Sequence, residues 1–236
     1  MIIALIGYGK MGKTIERLAI AKGHQTVAFD QGDDLTRISE TGADVAIEFT
    51  EPKSTPGNLR ICLEQNIPVV CGTTGWLEHK PEIEELCRQT TGSFFYASNY
   101  SLGVQVFFRL NRQLASMMAR HPGYRADIHE IHHTQKKDSP SGTAITLAEG
   151  IIRENPDYRT WSDQDSGSGI LPITSERIDP FPGTHTVTYR GTVDDLVITH
   201  QAHSREGFAA GALAVAEWIP GRKGVLTMDD FLKTDL

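Results

Sequence analysis

Sixteen residues, His129 to Ala144, read "HEIHHTQKKDSPSGTA" and bring together three histidines, two lysines and a Pro-Ser-Gly-Thr turn. Such a set suits two kinds of chemistry. The first is metal ligation. His129-Glu130-Ile131-His132-His133 fits His-Glu-x-x-His, in which two histidines one helical turn apart hold zinc and the glutamate acts as base. That arrangement needs a helix. Pro122-Gly123 upstream and Pro140 downstream leave little room for one, and Ile128 and Ile131 favour extended structure. On a strand, His129 and His133 share a face but stand about 13 Å apart at roughly 3.3 Å per residue, too far for one ion. No third ligand follows at a clear spacing, so no metal is expected. The second chemistry is proton transfer beside an anion site. His132 is the natural proton donor because histidine titrates near neutral pH. Lys136 adds a positive charge that can also donate. Ser141, Gly142 and Thr143 follow Pro140 and open a helix, so their N–H groups form a nest for a carboxylate. Composition alone does not separate this reading from a basic surface loop in which Ser141 is an ordinary helix cap.

A second constellation lies at the start of the chain. "GYGKMG", Gly7-Tyr8-Gly9-Lys10-Met11-Gly12, directly follows the apolar run "IIALI". Gly7 makes the tight turn, Gly9 lets backbone approach a pyrophosphate, and Gly12 lets helix and strand pack closely. Asp30 stands 18 residues after Gly12, at the end of the next strand-like run. An acid there holds the ribose of a dinucleotide. Two polar rims follow later strands: Gly72-Thr73-Thr74 in "CGTTGW" and Ala97-Ser98-Asn99-Tyr100 in "ASNY". Ligands bind outside the carboxyl ends of parallel strands, so these rims are either cofactor contacts or plain polar loops.

The elements that must carry these residues alternate at first. Strands are predicted at 2–6, "QTVAFD", 44–50, 67–74 and 93–99, with helices after Gly7-Tyr8-Gly9, over "PKSTPGNLRICLEQN" and over "KPEIEELCRQT". That order predicts a parallel sheet with right-handed crossovers. After Asn99 comes a long helix, "LGVQVFFRLNRQLASMMARH". Four strand-like runs follow ("ADIHEIHH", "LPITSERID", "HTVTYRG", "DLVITHQAHS"), with one helix, "SGTAITLAEGIIRE", after the first. This reads as a separate α+β unit. The last helix, "REGFAAGALAVAEWI", is expected to pack back on the first domain. The fold class is therefore α/β: an N-terminal Rossmann-type parallel sheet with a second α+β domain carrying a mixed sheet. Residues 1–101 and 205–236 form the dinucleotide-binding domain, and residues 102–204 the substrate-binding and oligomerisation domain.

The chain has 236 residues and a formal net charge of −7, which argues against nucleic acid or an anionic membrane as partner. Three sparse cysteines, Cys62, Cys71 and Cys87, suggest reduced thiols in a cytoplasmic protein. No run approaches the length of a membrane helix, and "MIIALIG" is too short for a secretory core.

Taken together, the motifs resemble dihydrodipicolinate reductases, enzymes of lysine and diaminopimelate biosynthesis. "EIHHTQKKDSPSGTA" fills every fixed position of the family's Glu-x-His-His-x-x-Lys-x-Asp-x-Pro-Ser-Gly-Thr-Ala signature. "GYGKMG", "VAIEFT", "CGTTGW", "SNYSLGV" and "THQAHSREGFAAGAL" extend the resemblance along the chain. The resemblance implies reduction of 4-hydroxy-tetrahydrodipicolinate, a small dicarboxylate imine, with loss of water. It carries His132 over as proton donor and Lys136 as its catalytic companion. His133, Ser141, Gly142 and Thr143 become substrate contacts. Gly7 to Gly12, Asp30, Gly72 to Thr74 and Ala97 to Tyr100 become cofactor contacts. It also implies a homotetramer assembled through the second domain's sheet. NADH is expected as the preferred cofactor over NADPH, because Asp30 repels a 2′-phosphate. The chain departs from the family in its glycine loop, which is one residue shorter than the common Gly-x-x-Gly-x-x-Gly. Two other readings share part of these features: a different two-domain nicotinamide oxidoreductase acting on an amino or imino acid, and a non-catalytic nucleotide sensor. The first does not need "HHTQKKDSPSGTA", and an intact His132 and Lys136 speak against the second.

Overall fold

The computed structural model describes residues 1–204 and 206–233. It divides into two compact units, Met1–Ser101 with Glu206–Leu236, and Leu102–Arg205. Arg205, where the sequence reading places the return to the first domain, lies outside the described residues.

In the first unit the alternating pattern becomes β1 (Ile2–Ile6), α1 (Lys10–Ala21), β2 (Gln25–Phe29), β3 (Val45–Glu48), α2 (Thr55–Glu64), β4 (Val69–Cys71), α3 (Lys80–Gln89) and β5 (Ser93–Tyr96). These strands are short and almost continuously apolar because both faces of their sheet are covered. Ile3, Leu5, Val45, Ile47, Val70 and Phe95 point into one core. Their neighbours Ala4, Ile6, Ala46, Val69, Cys71 and Phe94 point into the other, as a period of two requires. Helix α1 buries Gly12, Ile15 and Ala19, one stripe at helical spacing. It ends just before Gly23, which takes φ +83°.

The second unit contains α4 (Leu102–Met118), β6 (Arg125–His132), α5 (Gly142–Glu154), β7 (Thr160–Ser162), β8 (Ile170–Arg177), β9 (Thr184–Arg190) and β10 (Asp195–Gln201). Its strand order is β10-β9-β6-β8-β7. The sheet is mixed: β6 runs parallel to β8 and antiparallel to β9. Along β6, Ala126, Ile128, Glu130 and His132 are buried, and the residues between them are not. Ala126 and Ile128 face Leu147, Ala148 and Ile151 of α5 and Phe107 and Ala115 of α4 in one core. The opposite face of the sheet is uncovered within this unit, and Val197 on it is exposed.

The chain then returns to the first unit as α6 (Glu206–Trp218), β11 (Gly224–Leu226) and α7 (Met228–Lys233). β11 completes a six-stranded parallel sheet in the order β11-β5-β4-β3-β1-β2. Helix α6 packs on the same face as α1, burying Ala209, Ala212, Leu213 and Ala216. The Rossmann-type sheet, the mixed second sheet and the returning helix are as the sequence reading has them. Five pieces depart from it: β7, β11, α7 and two 3-10 helices, at Leu35–Thr41 and Leu77–His79. The two strands have three residues each, too few to show an alternation.

Gly211 is the tightest point of the returning helix, since a Cβ there would sit 1.7 Å from the Tyr100 carbonyl oxygen. Backbone cannot yield as a side-chain tip can. We expect Gly211→Ala to lower stability by about 1–3 kcal/mol, the usual cost of overpacking, in urea unfolding. A change within about 0.5 kcal/mol would contradict this packing.

Candidate active site and nucleotide cleft

At the end of β6 the pleat places Glu130 and His132 on the same buried face. This settles the fate of the His-Glu-x-x-His pattern: the segment is a strand, and His129 points the other way, with Nε2 2.8 Å from Glu176. Glu130 has no exposed surface. Its Oε1 accepts hydrogen bonds from the Ser141 N–H at 3.0 Å, the Ser175 hydroxyl at 2.8 Å and the Arg177 guanidinium at 3.2 Å. Its Oε2 lies 3.4 Å from His132 Nδ1 and 3.6 Å from His185 Nε2. The His132 and His185 rings meet edge to face, with centroids 4.9 Å apart.

Burial alone would raise the Glu130 carboxyl, but the polar groups of His185, Ser141 and Ser175 hold it well below the ordinary carboxylate range. For His132 the balance goes the other way. Burial pushes it down to about 4; Glu130 opposes this, while His185, Lys136 and Arg177 reinforce it. His132 is therefore neutral near pH 7.

The remaining residues of the motif surround this centre unevenly. The Lys136 ammonium is held by Asp138, with Nζ 2.9 and 2.8 Å from its two oxygens. Lys137 is exposed. His133 is half-buried one residue beyond the strand, and Thr134 is anchored by its hydroxyl to Asp179 at 2.6 Å. Ser141 corrects part of the sequence reading. Its N–H is committed to Glu130, and its hydroxyl caps α5 through the Ala144 N–H at 3.2 Å, with His185 Nε2 also 3.2 Å away. Of the three nest residues, Gly142 and Thr143 occupy the first helical positions of α5, where N–H groups have no partner within the helix.

Sequence reasoning missed Glu130, His185, Arg177 and Ser175 as members of the cluster. Glu130 was recoverable, because a period of two puts it beside His132. The other three come from β8 and β9, and no local pattern points to them. Glu130, His132 and His185 present ligand atoms within 4.8 Å of one another, close enough for one cation. The Arg177 guanidinium on the same carboxylate already supplies the positive charge that a cation would bring.

The first unit holds a cleft of about 600 Å³ lined by Gly7, Tyr8, Gly9, Asp30, Phe49, Thr50 and Asn58, among others. Gly7 takes φ +93°, and a Cβ there would strike the Phe49 carbonyl oxygen at 2.1 Å. At Gly12 a Cβ would lie 2.3 Å from the Gly7 oxygen. Gly9 differs: nothing lies within 4 Å of its Cβ position. Gly9 is also the N-cap of α1, with no side-chain cap and no acid in the first turn. A bare helix N-terminus behind an open glycine is what a pyrophosphate needs. Asp30 is exposed immediately after β2, and its N–H is held by Asp33 at 2.8 Å. The Tyr8 hydroxyl donates to Glu16, and Lys13 Nζ stands 5.5 Å from the Tyr8 ring centroid.

The cleft does not take in the other candidate contacts: Lys10, Met11, Gly12, Gly72, Thr73, Thr74, Ala97, Ser98, Asn99 and Tyr100. Thr73 is buried, and its hydroxyl accepts from the Thr50 N–H at 2.8 Å. At Gly72 a Cβ would meet the Phe49 ring at 2.1 Å, so this glycine makes room for Phe49. Tyr100 is buried in the core and donates to the Cys71 carbonyl at 2.6 Å. Ala97 is buried, Asn99 half-buried, and Thr74 and Ser98 are exposed on the rim.

Comparison with known proteins covers both units. Residues 1–100 match the family model described as dihydrodipicolinate reductase, N-terminus, and residues 103–232 match dihydrodipicolinate reductase, C-terminus. A 4-hydroxy-tetrahydrodipicolinate reductase of Christiangramia forsetii is 47% identical over 234 residues, covering 98% of either chain. One from Archaeoglobus fulgidus is 34% identical over 95% of this chain and 96% of its own. Among solved structures, a dipicolinate-bound dihydrodipicolinate reductase from Paenisporosarcina sp. TG-14 shares the fold with TM-score 0.78 at 22% identity, covering 96% of this chain and 97% of that one.

The buried cluster makes stability depend on acid. His132 sits at about 4 when folded, against an ordinary 6.5. Between those values the unfolded chain binds more protons, so stability rises with pH. Glu130, held low, acts in the same direction below the ordinary carboxylate range. We expect the thermal midpoint to fall as pH drops from about 6.5 to about 4, and His132→Asn to flatten the upper part of that slope. An unchanged slope in the variant would show that His132 is not buried neutral.

Proposed function

The chain belongs to the dihydrodipicolinate reductase family, pyridine-nucleotide enzymes that reduce 4-hydroxy-tetrahydrodipicolinate in lysine and diaminopimelate biosynthesis, and on that premise we propose that His132 is its proton donor. The observation that carries this reading is the placement of His132. It is a nearly buried histidine at a strand end, set against a fixed carboxylate and followed by a basic turn and a helix N-terminus.

The substrate bears two carboxylates, and the residues around His132 suit them. Lys136 is half-buried and now paired with Asp138; a substrate carboxylate would compete for that ammonium as a charge-assisted partner. His133 stands one residue further along. The Gly142 and Thr143 N–H groups at the start of α5 would receive a carboxylate along the helix dipole. Ser141 supports this nest from behind through its cap and its bond to Glu130. Bound dianion would also change His132 itself. Opposite charges close by favour the imidazolium, so a bound dianion would turn the neutral histidine into a proton donor.

In the first unit, the Gly7-Tyr8-Gly9 backbone and the uncapped start of α1 would hold the dinucleotide pyrophosphate, and Asp30 its adenosine ribose. When bound, the reduced nicotinamide supplies the hydride. His132 supplies the proton to the neighbouring carbon. Holding the substrate by both carboxylates fixes which face reacts, and this orientation accounts for part of the rate.

Three buried, unpaired thiols suit a reducing, cytoplasmic setting, and among the described residues no helix is long and apolar enough to cross a membrane. The uncovered face of the second sheet, with Val197 exposed on it, supports the homotetramer that the resemblance implies.

His132→Gln tests the reading most directly. Turnover with NADH and the 4-hydroxy-tetrahydrodipicolinate substrate, followed by loss of nicotinamide absorbance, should fall by about a hundred- to ten-thousand-fold, the range of general acids. NADH binding should persist, because its residues lie in the first unit. Turnover within a few-fold of the parent would remove His132 from this role.

Cofactor choice rests on Asp30. Its exposed carboxylate suits ribose hydroxyls and repels a 2′-phosphate, and the nearby Asp33 and Asp34 add negative charge. Lys10 and Lys13 at the start of α1 are the counterweight, since a flexible ammonium reaches a phosphate as a point charge. We expect kcat/KM to favour NADH over NADPH modestly at fixed ionic strength. A clear preference for NADPH would show that the lysines outweigh Asp30.

A further inference from the structure

Glu130 is fully buried two residues before the proton donor, and its two oxygens have different surroundings. Oε1 takes every hydrogen bond the carboxylate receives from Ser141, Ser175 and Arg177. Oε2 is buried and accepts none, and the buried Nδ1 of His132, 3.4 Å away, likewise has no partner. A ring nitrogen able to donate and an acceptor oxygen, both shielded from water and facing each other, are costly apart and stabilising together. A tilt of the ring by a few tenths of an ångström joins them. The opposite ring nitrogen has different surroundings again. His132 Nε2 looks towards Gly183, where a Cβ would stand 3.1 Å away, so the lack of a side chain there keeps that end of the ring uncrowded.

We infer that Glu130 is the positioning residue for His132: its Oε2 accepts the hydrogen on Nδ1, which orients the ring so that Nε2 carries the proton given to substrate. This rests on the reading of His132 as proton donor. In the transfer, the Nε2–H bond breaks and its electron pair stays on the ring. The proton forms the new C–H bond beside the carbon that receives the hydride. The Nδ1 hydrogen stays on the ring, hydrogen-bonded to Glu130 Oε2, and Nε2 regains a proton from water.

The charges around the ring make Glu130 the natural source of this control. His185 from β9, Lys136 from the following turn and Arg177 from β8 all disfavour the imidazolium, and Glu130 from its own strand favours it. Fixing one nitrogen through a carboxylate so that the other can react is a general device of histidine catalysis. Arg177 and the two serine-derived hydrogen bonds hold the carboxylate itself still, so the ring is oriented against a rigid partner.

Two measurements test the inference on the full enzyme. Nitrogen NMR of histidine-labelled parent protein above pH 6 should show neutral His132 with its hydrogen on Nδ1; the Nε2–H tautomer would overturn the inference without any substitution. In Glu130→Gln, kcat should fall by about tenfold or more, and the alkaline limb of kcat against pH should move down by about one unit as the favourable charge is lost. The KM for NADH should not change. A fall in kcat with the limb unmoved would reduce Glu130 to a purely structural part and overturn the inference. If His132→Gln retains turnover, the donor assignment fails instead. If His132→Gln loses turnover while Glu130→Gln keeps the parent's rate and limb, only the positioning role fails.

Discussion

A carboxylate with no exposed surface is tolerated only where donors and a positive charge surround it, because an unpaired buried ion costs several kcal/mol. Glu130 imposes that condition on the second unit. Its Oε1 is satisfied by residues from separate segments: Ser175 and Arg177 from β8 and the Ser141 N–H at the head of α5, while His185 from β9 stands 3.6 Å from Oε2. β6 lies between β8 and β9 in the sheet, so the central strand carries the charge and its neighbours carry the partners. Moving β8 or the head of α5 would leave the carboxylate short of a donor. His132 inherits its place from this arrangement, because the strand pleat puts it on the same face two residues later.

The first unit uses backbone where the second uses charge. Gly7 and Gly12 are needed for close approach, while Gly9 is left open beside an uncapped helix. In a chain of net charge −7, this helix end presents N–H groups and no acid in the first turn, which suits an anion. This unit also has a buried carboxylate, Glu48, but its partners are Thr50, Thr55, Asn58 and the Cys71 thiol rather than an arginine. Through them the loop after β3 is tied to the end of β4. Phe49 fills the space that Gly72 leaves beside that loop. Several residues that resemble cofactor contacts by position therefore act first as scaffold for the rim on which they stand.

The architecture was largely legible in the sequence. Continuous apolar runs of four to five residues alternating with helical stripes mark a parallel sheet covered on both faces, and the later succession of strands with few helices marks a different unit. What escaped was short: β7 and β11 have three residues each, and their strand character comes from pairing with β8 and β5 rather than from any period of their own. Gly7-x-Gly9-x-x-Gly12 with Asp30 was legible because the physical demands of the turn are local.

The chemical site divides along the same line. His132, Lys136 and the start of α5 lie within one short stretch, and their types and order suit either a proton donor beside an anion site or a basic surface loop with a capped helix. The sequence also speaks against the helical zinc pattern, since the flanking prolines leave little room for a helix and the isoleucines favour a strand. Only the tertiary structure brings His185, Ser175 and Arg177 to Glu130, commits the Ser141 N–H to that carboxylate instead of to a ligand, and turns the Tyr100 ring into the core. Local pattern records what a residue can do and which face of its element it occupies. Which charges and hydrogen bonds it meets is decided by strands 40 or more residues away, whose pairing depends on the whole sheet closing over one core.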